Sequence, residues 1–215
     1  MTYANVQAID DRLFALDRTF LLSTSDDAAT LHGDSPGRET LTTDGWTQIQ
    51  FNIASANTFI LGNGGDDHIS IVSLDGGHRS SLTVSGDEGT DAVELHADMQ
   101  LGSTDSQGIL YVEAESISAA GTIVTGGGSV EFSGPVSVAA NLRISTRSLD
   151  ELNPSGDIRF DEVLQSTAPA AFTVTLDAAD ADIYFAGEIG EWYPLQSLDI
   201  VEARNVDFAA GVWLA

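Results

Sequence analysis

The chain reads as an all-β protein, a parallel β-solenoid (β-helix) with coils of about 23–28 residues. Three observations predict this. Gly is frequent, at 21 copies in 215 residues, and Val, Ile, Thr and Ser recur in short runs, which favours strands and turns over helices. An apolar-x-Phe pattern returns at intervals of 28, 25 and 23 residues in the second half. The Asn-Gly and Asp-Gly pairs that mark two-residue hairpins (Asp44-Gly45, Asn63-Gly64, Asp75-Gly76) all lie in the first half, so the second half carries no such hairpin signal.

The repeat has two classes of strand. The first reads Ser129-Val130-Glu131-Phe132, Asp157-Ile158-Arg159-Phe160, Asp182-Ile183-Tyr184-Phe185 and Asn205-Val206-Asp207-Phe208. Each aliphatic residue precedes its Phe by two, so on a strand both side chains face the same way. The second class reads Asn141-Leu142-Arg143-Ile144, Ala171 to Leu176, and Ser197-Leu198-Asp199-Ile200, at about the same period. One such coil cannot bury its apolar face alone, so stacking must make the core. A β-sandwich is the competing reading, and the uneven period is its support.

The first half has another flavour. Asp and Gly cluster at Ser25–Ala29, Gly62–Ile69 and Gly86–Val93, with the strand-like runs Thr58–Leu61, Ile69–Val72 and Leu82–Val84 beside them. No Pro- or Ser-rich linker separates the halves. Residues 1–114 and 115–215 therefore read as two segments of one continuous domain.

Charge removes several functions. There are 33 Asp and Glu against 8 basic residues, a net charge of −25, and all eight basic residues are Arg. Such a surface repels phosphate backbones and anionic membranes, so no nucleic-acid partner is expected. Without Lys there is no P-loop lysine and no Schiff base. Without Cys there is no disulfide, thiolate zinc site or cysteine nucleophile. No apolar run is long enough to span a bilayer as a helix. The first residues lack the basic and apolar regions of a signal peptide, and the repeats run almost to Ala215. These two features lead us to expect a fragment of a longer protein.

What an acidic surface attracts is cations. Gly62, Gly65, Asp67 and Ile69 fit the repeat-in-toxin pattern G-G-x-G-x-D-x-U-x (U apolar), with Asn63 at the second Gly. Gly86, Gly89, Asp91 and Val93 fit it as well, with Asp87 at that position, 24 residues on. Stacked turns would bring Asp67 and Asp91 together, and a hard cation would remove their repulsion. Calcium is thus the expected cofactor, with Asp66, Asp67, Asp87 and Asp91 as candidate ligands. Plain solvated turns are the simpler alternative, since Asp and Gly favour turns anyway.

Residues 20 to 95 resemble the "GDD-x-hydrophobic" turns of giant bacterial surface proteins. Residues 115 to 212 resemble their filamentous-haemagglutinin-type repeats, most closely from Asp182-Ile183-Tyr184-Phe185-Ala186-Gly187 through Leu198-Asp199-Ile200 to Asn205-Val206-Asp207-Phe208. Glu162 departs from that pattern, standing where a Gly is usual. The resemblance implies a secreted or cell-surface location, calcium binding and an adhesive or structural role. It also implies two kinds of partner: a surface carbohydrate or protein receptor, and neighbouring repeats of a parent protein.

Catalytic patterns are weak. There is no H-E-x-x-H and no G-x-S-x-G, and His32, His68, His78 and His96 read as solvated turn or strand-end residues. Asp157, Asp161 and Glu162, or Asp177, Asp180 and Asp182, could imitate the acidic face of a polysaccharide lyase, but read more simply as solvated surface. Trp192-Tyr193-Pro194 is an aromatic loop suited to stacking on a sugar or contacting a partner, or more simply to folding back over the apolar end of a coil, while Trp46 and Trp213 read as core or edge residues. The expected function is a structural or adhesive module, not an enzyme. The alternatives are a carbohydrate-active β-helix enzyme and a carbohydrate-binding module.

Overall fold

The computed structural model describes residues 8–43, 47–96, 98–103, 106–150 and 153–215. Asp44, Gly45 and Trp46 lie outside them. The first strands are β1 (Ala8–Asp11), β2 (Asp17–Leu21), β3 (Ala28–Ser35), β4 (Arg38–Thr43) and β5 (Thr47–Asn52). Next come β6 (Asn57–Leu61), β7 (His68–Ile71), β8 (Ser81–Ser85), β9 (Ala92–Leu95) and β10 (Met99–Gln100). The middle of the chain forms β11 (Leu110–Glu113), β12 (Ser116–Val124), β13 (Val130–Ser133), β14 (Val136–Ser145) and β15 (Ile158–Phe160). The last are β16 (Leu164–Ser166), β17 (Thr173–Asp177), β18 (Asp182–Phe185), β19 (Ser197–Glu202) and β20 (Asn205–Phe208).

These strands make two sheets. The eight-stranded sheet runs β2-β6-β8-β11-β13-β15-β18-β20, and every neighbouring pair in it is parallel. The twelve-stranded sheet runs β1-β5-β4-β3-β7-β9-β12-β14-β17-β19, with β10 and β16 paired to β12 and β14. The two strand classes of the repeat divide between the sheets. The apolar-x-Phe strands β13, β15, β18 and β20 are consecutive in the smaller sheet, and β14, β17 and β19 are consecutive in the larger one. Both sheets cross the boundary near residue 114, through β8-β11-β13 and β9-β12-β14.

The expected solenoid with 23–28-residue coils is corrected by this topology. Among the described residues there is no helix, the strands gather in two sheets, and no closed solenoid forms. The register also departs from one period: Asp17 sits beside Asn57, Leu110 beside Val130, and Leu142 beside Val174. The largest departure is a meander. Strands β3, β4 and β5 pair antiparallel, Leu31 beside Leu41 and Leu41 beside Ile49, within a stack that is otherwise parallel. β4 and β5 pair antiparallel up to Thr43 beside Thr47 and add an extra ribbon to the larger sheet; in the sequence Asp44-Gly45 falls between them.

Alternation of apolar and polar residues sets which side of each strand is buried. In β11 and β13 the apolar positions Leu110, Val112, Val130 and Phe132 are inaccessible, while Tyr111 and Glu131 are half-buried. The registers align these positions from one strand to the next. Phe20, Ile60, Val84, Val112, Phe132, Phe160, Phe185 and Phe208 form one column. Its last four rings stack, with centroids 5.2, 5.4 and 5.0 Å apart and interplanar angles of 20°, 4° and 3°. Such pairs add about 0.5–1.5 kcal/mol each beyond the area they bury.

The column ends differently at its two extremes. Phe208 is 43% exposed, whereas Phe160 is fully buried. At the other extreme Phe20 packs on Phe51, and the Arg18 guanidinium lies 5.4 Å from the Phe51 ring centre. Arg18 donates to Asp11 at 2.6 Å and to the backbone oxygens of Asn52 and Leu13, so its charge is matched where it covers the core.

Burial predicts a gradient along the ladder. Phe160→Ala should destabilise the fold by about 3–5 kcal/mol, the usual loss for a buried Phe. Phe208→Ala should lose visibly less, because solvent already covers part of its ring. Denaturant titrations of the two variants measure the difference, and equal losses would show that the column is not the core of this half.

Candidate functional site

The Gly–Asp turns form one corner of the stack. Asn63 and Asp87, which occupy the toxin pattern's second Gly, take φ of 77° and 66°. This is the left-handed region that Gly enters freely and that Asn and Asp tolerate better than other side chains. Successive turns are tied by carboxylates that accept neighbouring backbone N–H groups. Asp27 N–H donates to Asp67 Oδ1 (2.8 Å), Asp67 N–H to Asp91 Oδ1 (2.7 Å), and Asp91 N–H to Glu115 Oε2 (2.9 Å). A second row runs in the opposite sense along the chain, with Asp66 N–H donating to Asp26 Oδ1 and Thr90 N–H to Asp66 Oδ1, each at 3.0 Å.

Of the four expected calcium ligands, the structure brings Asp67 and Asp91 together in a buried column and leaves Asp66 and Asp87 exposed. Each buried carboxylate uses one oxygen for an amide, and the other, Oδ2, is buried without a hydrogen-bond partner. Each lies close to a glycine, Asp67 Oδ2 to Gly62 and Asp91 Oδ2 to Gly86, in space that an added Cβ would need. Among the described residues no group of three or more His, Asp or Glu is placed to hold a metal ion. Calcium takes six to eight oxygen ligands, a set that these two buried carboxylate oxygens do not supply by themselves.

Burial pushes the Asp67 and Asp91 carboxyls above the usual carboxylate range, against the opposing pull of the amides they accept; nearby carboxylates push the same way as burial. The acids of the second half behave differently. Asp182 accepts from Arg204 at 2.6 and 2.8 Å, and also from Asn205 and Tyr184, and the Arg204 contact holds it far below the usual range. Asp177 pairs with Arg147 at 2.9 Å, and Asp161 pairs with Arg159. Asp157 and Asp180 accept the backbone N–H groups of Asp182 and Ser155. Most of the acids that could have imitated a lyase face are thus engaged within the scaffold.

A polar cluster that the sequence did not announce lies under the hairpin. His78 Nδ1 is 2.8 Å from Glu39 Oε1, and Ser80 Oγ is 3.0 Å from His78 Nε2. This is the order of a Ser–His–acid relay. All three residues are essentially inaccessible, which corrects the reading of His78 as a solvated loop residue. Burial keeps Ser80 from any substrate, so the relay acts as a tie between β4 and the loop before β8. Glu39 Oε1 also accepts the Asp75 N–H at 3.3 Å. His68 and His96 are exposed beside Glu94, and His32 is half-buried. The Glu39–His78 link needs the 40-residue register between β3 and β7, which no local motif displays.

Trp192 and Tyr193 are exposed, at 71% and 45%. Their loop is anchored by its backbone, with Ser166 N–H donating to Tyr193 O (3.0 Å) and Ala170 N–H to Pro194 O (2.9 Å). Trp213 is partly exposed at the last rung. A separate groove of about 310 Å³ is lined by Glu113, Glu115 and Glu162 together with Ser133, Gly134 and Pro135.

Fold and sites together define a scaffold of stacked, mostly parallel strands, cross-tied by buried polar groups and carrying the exposed Trp192–Tyr193 loop. No family model, curated protein or solved structure matches the chain. The resemblance to haemagglutinin-type and toxin-type repeats therefore rests on the quoted residues alone.

Two measurements test these assignments. Removing His78 leaves the buried Glu39 carboxyl and Ser80 hydroxyl short of a hydrogen-bond partner, so His78→Ala should destabilise by about 1–3 kcal/mol or more in a denaturant titration. The second concerns pH. A carboxyl whose folded pKa is raised stabilises fully below the unfolded Asp value of about 3.9, and that contribution is lost as pH rises through the folded value. The melting-temperature advantage of Asp67→Asn/Asp91→Asn over the parent should therefore be largest at neutral pH and shrink on acidification. A pH-independent gap would count against carboxyls whose pKa burial raises.

Proposed function

We propose that the chain is a structural or adhesive module of a secreted or cell-surface protein, meeting a carbohydrate or protein receptor through its Trp192–Tyr193 loop. The observation that carries this reading is the pairing of high exposure with a fixed backbone. Two large aromatic side chains are held out to solvent on a loop hydrogen-bonded to the turn below it. Aromatics presented this way give large contact area with little ordering cost, as binding surfaces do. The engagement of the second-half acids in ion pairs and amide contacts supports binding over catalysis.

A second reading follows from the groove lined by Glu113, Glu115 and Glu162. Three carboxylates around one depression suit a carbohydrate-active enzyme better than a scaffold. Two of them already hold other groups, Glu115 the Asp91 amide and Glu113 the Ser85 hydroxyl.

One experiment separates the readings. The chain is applied to immobilised polysaccharides, and both retention and release of new sugar ends are measured. A module retains polymer without cleaving it, and Trp192→Ala/Tyr193→Ala should weaken retention at least tenfold, about 1.4 kcal/mol. Release of sugar ends that Glu162→Gln abolishes would replace the module with the enzyme.

A further inference from the structure

Both sheets stop at the same two places. Strands β1 and β2 bound one end and β19 and β20 the other, and among the described residues each of the four is paired along one edge only. The column that begins at Phe20 in β2 finishes at Phe208 in β20, so the two end strands carry the same ring in the same register position. Apolar side chains are exposed at both ends: Val201 and Val206 at 55% and 36% at one, and Leu16 and Leu21 at 66% and 62% at the other, where the Arg18–Asp11 and Arg38–Asp10 ion pairs also lie.

We propose that a second copy of this chain stacks head to tail on the β20 end, its β2 adding in parallel to β20 and its Phe20 seating on Phe208. Parallel addition is the operation that relates every neighbouring pair in the eight-stranded sheet, so the contact continues an interface the fold already uses. With Phe20 over Phe208, Val206 meets the stem of Arg18, whose charge is already matched by Asp11 and two backbone oxygens. In the same register Asp207 falls beside Thr19 and Asn205 beside Asp17, so no two carboxylates face each other along this strand pair. Unpaired edges are templates for such addition. A head-to-tail contact leaves the same two ends free, so growth does not close at a dimer.

Net charge opposes the contact. Each copy carries −25, and the repulsion acts over about 10 Å at 0.1 M salt but about 3 Å at 1 M. Assembly is therefore expected at high ionic strength.

The test is sedimentation velocity of the full chain over a concentration series in 50 mM and 1 M NaCl. The expected result is a monomer at low salt and a concentration-dependent series of larger species at high salt. Val206→Lys should stop self-growth, and a minor fraction of it added to the parent chain should shorten the series, because its β2 end still caps a β20 end. Val201→Lys, on β19, repeats the block from the other sheet, and circular dichroism melts confirm that each variant is folded. Three results would each overturn the proposal: a monomer throughout at 1 M NaCl, growth that ends at a dimer of like ends, or a series unchanged by both folded variants.

Discussion

The structure depends on register between parallel strands. Each strand is too short and too narrowly apolar to be stable alone. It acquires a buried face only when its Val, Ile or Phe falls on the equivalent residue of the strand before it. A slip of one residue would turn Ile158 and Phe160 to solvent and bring Arg159 into the core. The stacked rings enforce that alignment from the apolar side, and the Asp–amide rows at the glycine corner enforce it from the polar side. Apolar columns and carboxylate rows thus serve one end, the fixed offset between successive strands.

This constraint explains which features were legible in the sequence. The apolar-x-Phe strands announce themselves because the last four rungs of one column all carry Phe, and their rings do stack on neighbouring parallel strands. The division of the two strand classes between two sheets was implicit in their alternation. The closed coil was misread for an equally physical reason. A column constrains only the residues that enter it, and the length of chain between rungs is set at the corners, where insertion costs little. Leu110 and Val130 can therefore be neighbours across a short return, while Asp17 and Asn57 are neighbours across a three-stranded meander. Asp44-Gly45 marked that meander, but its weight was lost against the repeats downstream.

The sites show the same divide. Asp67 and Asp91 were placed correctly next to each other by their 24-residue spacing, and the cation was inferred from the repulsion expected between them. The structure differs in giving each carboxylate a backbone N–H of a neighbouring turn to accept. The difference could not be seen without knowing that the Asp27 amide arrives from 40 residues away. His78 was invisible for the same reason. Its partner Glu39 belongs to the inserted hairpin, so no spacing rule derived from the parallel strands connects them. Pro194 marked a turn beside Trp192 and Tyr193, but their exposure was not legible, because whether two aromatics face solvent or fold back over an apolar end depends on packing that no local motif displays.

The closure of one extreme by Arg18 gives the molecule a direction in time. Synthesis delivers the guanidinium-covered end first, and its rung is completed only when Asn57 to Leu61 have emerged to lie beside Asp17 to Leu21. From then on each new strand finds a finished template and needs nothing that has yet to be made. The nascent chain can therefore consolidate as a growing front, with its least settled portion always the most recently translated. Among these rungs erosion would run the same course in reverse, withdrawing the half-exposed Phe208 rung before those of Phe185, Phe160 and Phe132.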